Sequence, residues 1–366
     1  MDFKLTEEQI EYRQLAQDFA VREMKLLAER IDKQHEEPRK VHVKMFEAGL
    51  MNVQVPENLG GLGLSLWNAC LVAEGLAYGC SGTAAAAEFN ALAQLPLLHA
   101  GTDEQKELWL PSLSERLTYV GVSLSGFFDK RERIKAHRQG DHWLLNGAGL
   151  ILNGAQCQWL VLPIADGEQT RFAVVKTGGL GLTFTGQPYS VGRKAQSMHM
   201  VVLSDVCVAE GNVVSADDRQ IDAIQGSART ILAAGMIGVA QAAFESAKKY
   251  ANERQTFGKP ISQHQAVSFI LADMIKDIEA ARLLTYKSAV LVENRQRSLQ
   301  AASTALAFAA EMVTRVTIDA VQVFGGYGYS KEYPVEKLMR DAKSYQCLIP
   351  PVYIECNQLG KALLAV

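Results

Sequence analysis

The sequence lacks most of the features that announce a site outright. Its six cysteines (Cys70, Cys80, Cys157, Cys207, Cys347 and Cys356) are scattered. They form no Cys-x-x-Cys pair and no cysteine–histidine cluster with zinc spacing. Reduced thiols and a cytoplasmic setting are the simplest expectation. A net charge of -3 leaves no electrostatic footprint for nucleic acid. The longest apolar runs, such as residues 301–310, are broken by polar residues and fall short of the ~20 needed to span a bilayer. The first residues, Met1 to Thr6, carry neither a signal-peptide core nor an arginine-rich transit pattern. Internal repeats and low-complexity linkers are absent too.

What the chain does have is length and apolar content. Its 366 residues, 48% of them hydrophobic, suffice for a large core divided into two or three packed subregions. Thr6-Glu7-Glu8-Gln9 reads as a capping box. Leu15, Ala16, Phe19, Ala20, Met24 and Leu27 then recur at helical spacing. Further helical patterns cover 41–50, 66–76, 83–99 and 103–110, where Pro111 stops the run.

After Leu117 the character changes. Tyr119 to Leu124 alternates, and Trp143 to Gly147 ends in Asn146-Gly147, a hairpin-type pair. Short β-type runs follow at 159–164, 171–176, 182–184 and 200–203. From Ile221 onward three long helical segments are expected, at 221–255, 263–293 and 298–324. The second carries Phe269, Met274, Ile278 and Leu283 along one side, and the third is rich in alanine. Such alanine-rich helices usually pack tightly in a bundle or across a subunit interface. The expected architecture is α+β: a helical domain at 1–117, a small β domain at 118–212 and a helical bundle at 213–366.

Two stretches stand out. Arg254-Gln255-Thr256-Phe257-Gly258-Lys259-Pro260-Ile261 and Gln322-Val323-Phe324-Gly325-Gly326-Tyr327-Gly328-Tyr329 each end a long helical pattern. Arg254 offers a guanidinium fork suited to a diphosphate. Phe257 offers an apolar face suited to an adenine ring. Gly325 and Gly326 remove side chains where a backbone must come close to something. Taken singly, each stretch also reads as a helix end followed by a glycine turn.

Together with Glu332 to Lys343, Val55 to Gly63 and Ala77-Tyr78-Gly79-Cys80, these stretches resemble the acyl-CoA dehydrogenase family, its medium-chain enzymes in particular. The resemblance runs nearly end to end. It implies the family's fold (helical domain, middle β domain, C-terminal four-helix bundle), an FAD cofactor and an acyl-CoA or other acyl thioester as substrate. It also implies a dimeric or tetrameric assembly in which one subunit clamps the adenine and diphosphate of its neighbour's flavin. Residue by residue, the clamp carries over onto Arg254, Thr256, Phe257, Gln265, Gln322, Gly325 and Gly326. Arg229 matches an arginine that reaches CoA, and Glu88 sits where the family lines its acyl pocket.

The ring and substrate half departs from the pattern. The family's reaction is an α,β-dehydrogenation, which needs a carboxylate to remove the α-proton. The matching position holds Ile349, followed by Pro350 and Pro351. The alternative base position, just before Arg229, holds Ala228. Glu355 lies downstream; it reaches in only if the loop re-routes, and is otherwise expected to be solvated, as glutamates near a terminus mostly are. The stretch that lines the flavin ring resembles Ser123-Leu124-Ser125-Gly126-Phe127-Phe128-Asp129, in which Ser123 keeps a hydroxyl for one flavin hydrogen bond. The segment backing the ring resembles Leu150-Ile151-Leu152-Asn153-Gly154, with leucine where a threonine would donate to the flavin.

Three readings follow: a family flavoprotein with impaired or altered chemistry; a non-catalytic subunit that lends its clamp to an intact paralogue in a hetero-oligomer; or a flavin-free scaffold. The sequence itself generates one test. Ile349→Glu should restore little dehydrogenase turnover, because Leu124, Leu152 and Pro350 remain. Recovery to the rate of an intact relative would overturn the assignment of the missing base.

Overall fold

The computed structural model describes residues 4–34, 38–129, 133–166, 169–348, 355–357, 359–360 and 364. Ile349, Pro350 and Pro351 lie outside the described residues. The N-terminal part holds α1 (Glu7–Phe19), α2 (Ala28–Gln34), α3 (Arg39–Glu47), α4 (Leu66–Ala100), α5 (Asp103–Trp109) and α6 (Ser112–Glu115). The capping box forms: the Thr6 hydroxyl accepts from the Gln9 amide at 3.2 Å, and Gln9 Oε1 accepts from the Thr6 amide at 2.9 Å. Ala16, Phe19, Ala20 and Met24 are buried, whereas Leu15 is exposed, so the apolar stripe is narrower than its sequence pattern. The two patterns at 66–76 and 83–99 run together as α4, bent at Cys80, whose backbone is extended (φ -165°, ψ 108°).

The middle part holds β1 (Val120–Val122), α7 (Ser125–Phe128), β2 (Ile134–Gln139), β3 (His142–Leu152), β4 (Trp159–Asp166), β5 (Gln169–Lys176), β6 (Leu182–Phe184), β7 (Met198–Ala209) and β8 (Val213–Ser215). Among the described residues they form one eight-stranded sheet, in the order β6-β7-β3-β1-β4-β5-β8, with β2 pairing both β3 and β4. The sheet takes in Val213–Ser215, just past the expected boundary at 212.

Two local readings are corrected. β1 does not alternate; all three residues are buried, because it is paired on both edges, by β3 and β4. Nor does Asn146-Gly147 turn the chain. β3 runs straight through it with a register shift between Leu145 and Gly147. There Gly147 takes φ 147°, and the Asn146 amide is held by Asp205: Nδ2 donates to its carboxylate at 2.8 Å and Oδ1 accepts from its backbone at 2.9 Å. The pair makes a β-bulge. The tight hairpin lies at Gly140-Asp141, where Gln139 pairs with His142.

The C-terminal part holds α8 (Asp218–Glu253), a two-residue hairpin of β9 (Gln255–Thr256) and β10 (Lys259–Pro260), then α9 (Gln265–Glu293), α10 (Leu299–Phe324) and α11 (Pro334–Leu348). On α9 the four expected apolar residues do not share a face. Met274 and Ile278 are buried, while Phe269 and Leu283 are exposed. By length and composition α8 could cross a membrane, but 83% of its most apolar window is buried within the fold, so it is a core helix.

His42 ties the parts together. One ring nitrogen lies 3.0 Å from the Tyr119 hydroxyl and the other 3.0 Å from the Thr83 carbonyl of α4. Burial pulls its pKa down from the ordinary 6.5 to about 4, and burial does the same to His99. Both rings are therefore neutral in the fold and protonate first in the unfolded chain. The stability they contribute, ~3 kcal/mol each, is present above pH 6.5 and is lost as pH falls toward 4. Urea midpoints should drop across that window, and less steeply in His42→Gln. A flat profile between pH 7 and 4 would contradict this.

Candidate functional site

Arg254 caps α8, and the β9–β10 hairpin that follows brings the chain back, the Ile261 amide donating to the Arg254 carbonyl at 2.8 Å. Beside it α10 ends at Phe324. Gly325 follows with φ 59°, ψ -134°, a conformation that excludes other residues. Tyr250, Arg254, Thr256, Phe324, Gly325 and Gly326 line an open groove of about 470 Å³ together with Tyr327. A Cβ at Gly325 or Gly326 would meet nothing within 4 Å, so the bare backbone faces open space. Arg254 is exposed, makes no ion pair with a described residue, and lies 6.0 Å from the Tyr327 ring. The Thr256 hydroxyl is 3.0 Å from His264.

Four of the residues matched to the clamp are thus brought together: Arg254, Thr256, Gly325 and Gly326. Phe257 sits apart at the hairpin tip, 97% exposed, with φ 52°. Gln265 at the start of α9 and Gln322 in the last turn of α10 are exposed and do not line the groove. The floor contains a group that sequence reasoning missed. Tyr250 stacks on Phe324 (centroids 4.1 Å apart, 15° between planes), and Tyr333 packs against both. Helical spacing could have found Tyr250, one turn before Arg254.

The residues matched to the other half lie in the core. Leu124, Phe127, Phe128 and Leu152 are all buried, and they belong to the same core cluster as Ala228 and Ile231 of α8. Phe127 packs on Phe172 at 5.3 Å, and its carbonyl accepts from Gln225 Nε2. Ser123 is buried as well. Ala228, at the alternative base position, is buried among apolar neighbours.

Arg229 is fully buried, and so is Glu355. Arg229 Nε donates to Glu355 Oε2 at 2.9 Å, and its guanidinium lies 4.5 Å over the Phe128 ring. The expectation of a solvated Glu355 is overturned: a buried guanidinium needs an anion, and this carboxylate supplies it.

Glu88 is buried on α4. Its Oε2 accepts from Arg193 Nη2 and, at 3.0 Å, from the Tyr345 hydroxyl of α11. Arg193 is fully buried and stacked 3.8 Å from the Tyr345 ring. A Cβ at Gly235 would lie 2.4 Å from the Tyr345 hydroxyl, so that glycine admits the cluster. Burial pushes the Glu88 carboxyl up and the Arg193 guanidinium opposes it. A narrow cavity of about 30 Å³ runs alongside, lined by Ala84, Ala87, Glu88, Ala91 and Gln94 of α4 among others. That is room for about two waters. Arg193 gave no signal in the sequence, since its loop has no periodicity.

Residues 6–116 match the N-terminal domain of acyl-CoA dehydrogenases, and residues 222–364 match the C-terminal domain. A probable acyl-CoA dehydrogenase of Bacillus subtilis is 35% identical over 359 residues, covering 94% of this chain and 94% of that protein. One from Mycobacterium tuberculosis is 31% identical over 378 residues, covering 99% and 96%. The solved butyryl-CoA dehydrogenase of Megasphaera elsdenii superposes with a TM-score of 0.92 at 29% identity, over 100% of both chains.

The Glu88 cluster yields a direct test. Glu88→Ala leaves Arg193 buried without its carboxylate and should cost ~3–5 kcal/mol of stability, read from urea unfolding. Glu88→Gln, which keeps an acceptor, should cost less. A loss under about 1 kcal/mol in both would show that Arg193 does not depend on this carboxylate for its burial.

Proposed function

The chain belongs to the acyl-CoA dehydrogenase family, and from that premise we propose that it is a flavoprotein subunit that does not run ordinary α,β-dehydrogenation in its own site. It lends its adenine and diphosphate clamp to the FAD of an intact relative in a mixed dimer or tetramer. The observation that carries this reading is the contrast between the two half-sites. The groove at Arg254 is open, cationic, floored by aromatic rings and edged by bare glycine backbone. That donor set fits the diphosphate and flat base of a dinucleotide. The half matched to the isoalloxazine and thioester does not fit its ligand. Leu124, Phe127, Phe128 and Leu152 are taken up in the core, and Arg229 is engaged by Glu355.

No step is assigned to flavin bound by this chain alone. The base positions agree: Ala228 is apolar and buried, and Ile349 cannot accept a proton. When bound by a complete site, FAD supplies the redox chemistry of the family. This chain's part is to hold the far end of the cofactor and fix its position.

The absorption spectrum of the purified chain tests the proposal. Alone, it should show no flavin band even with excess FAD. Co-purified with an intact relative, the complex should hold one flavin per two chains. Arg254→Ala in this chain should weaken that retention by roughly ten- to hundredfold, the size of a lost charge-assisted hydrogen bond (~1.5–3 kcal/mol). A yellow homo-oligomer with thioester turnover would replace this reading by a self-sufficient enzyme of altered chemistry.

A further inference from the structure

We infer that Glu355 is a built-in ligand: it occupies an anion site formed by Arg229 over the face of Phe128, with the guanidinium held by the Gln225 carbonyl, and so keeps an organic phosphate or carboxylate out. The inference rests on the reading that this chain's own thioester half is not in use, and it assigns the residue that closes it. Arg229 and Glu355 are 126 residues apart in sequence and both fully buried. Arg229 Nε donates to Glu355 Oε2 at 2.9 Å, and Nη1 donates to the Gln225 carbonyl at 3.3 Å. Phe128 lies under the guanidinium plane at 4.5 Å. Glu355 Oε1 has no hydrogen-bond partner among the described residues.

This is the recognition apparatus for an organic anion: a dehydrated guanidinium fork on a flat apolar floor, with a backbone acceptor that fixes the fork. The carboxylate seated in it presents the same paired oxygens as a ligand's phosphate or acid group. Among the described residues its second oxygen has no partner that would make it part of a wider internal network. Glu355 also belongs to the same chain, so it competes at an effective concentration that for tethered groups reaches about millimolar. A free anion binding Arg229 more weakly than that is excluded. Within the family reading, the excluded ligand is a coenzyme A thioester.

The experiment removes the carboxylate and looks for a gain. Full-length wild type, Glu355→Ala, Glu355→Gln and the double variant Arg229→Ala/Glu355→Ala are compared. Coenzyme A and a short-chain acyl-CoA serve as probes, with calorimetric titration and melting temperature as readouts. Glu355→Ala should melt below wild type without ligand, and coenzyme A should raise its melting temperature but not that of wild type. Its affinity should be at least tenfold higher than wild type. Glu355→Gln, which keeps the shape and loses the charge, should gain less and covers the case in which the alanine variant does not fold. The double variant should lose the gain.

Wild type binding coenzyme A as tightly as Glu355→Ala would overturn the inference. So would folded Glu355 variants that bind no better than wild type. If wild type turns over a thioester and Glu355→Gln abolishes it, the carboxylate is a base and the inference again fails. The binding and melting readouts involve neither Arg254 nor flavin, so failure there and failure of the clamp reading are separate results.

Discussion

The close approach of α4 and α8 is the constraint on which the rest of the structure depends. A Cβ at Gly238 of α8 would lie 2.2 Å from the Glu74 carbonyl of α4, and one at Gly235 would strike the Tyr345 hydroxyl. Small residues let the two helices meet at backbone distance. α10 and α11 then pack against the same rod, which has almost no exposed surface in its middle. A helix held this firmly fixes whatever it carries. Arg229 and Arg254 lie roughly 37 Å apart along its length. One is sealed in the interior by a carboxylate, and the other stands free at the rim of a groove. The two arginines state the asymmetry of the molecule: one rigid element has a closed station near its start and an open one at its end.

On the proposed reading, the closed end is a binding site taken into the core. Leucine and phenylalanine are good space-fillers, and Leu124, Phe127, Phe128 and Leu152 bury apolar area there. Restoring one polar residue would place it among neighbours that already fill the volume. Chemistry at that end is then held out by packing as well as by the apolar side chains of Ala228 and Ile349.

The long helices α4, α8, α9 and α10 and most strands were legible in the sequence because their signals are local, whereas α11 was not expected. The Thr6 capping box and the short run at Leu182–Phe184 fell where the residues put them. Errors came where a distant partner decides. Asn146-Gly147 has the composition of a turn, yet Asp205, far along the chain, holds it as a bulge. Phe269 and Leu283 fit an apolar stripe on α9 but are left on its outer face. The groove was half legible: four of the matched residues converge on it, but the tyrosine and phenylalanine floor emerges only when α8, α10 and the segment before α11 are assembled. Arg193 and Glu355 were illegible. A charged residue in a loop or near a terminus is usually solvated, and only the folded chain shows that each has been given a buried partner of opposite sign.

The hairpin tip carries a consequence for assembly. Phe257 holds a left-handed backbone and points almost its whole ring into water. A single exposed ring is ordinary on a protein surface. On the proposed reading this one is covered when a neighbouring subunit shares a cofactor, so the tip is a place where the free and the assembled chain differ in exposed apolar area.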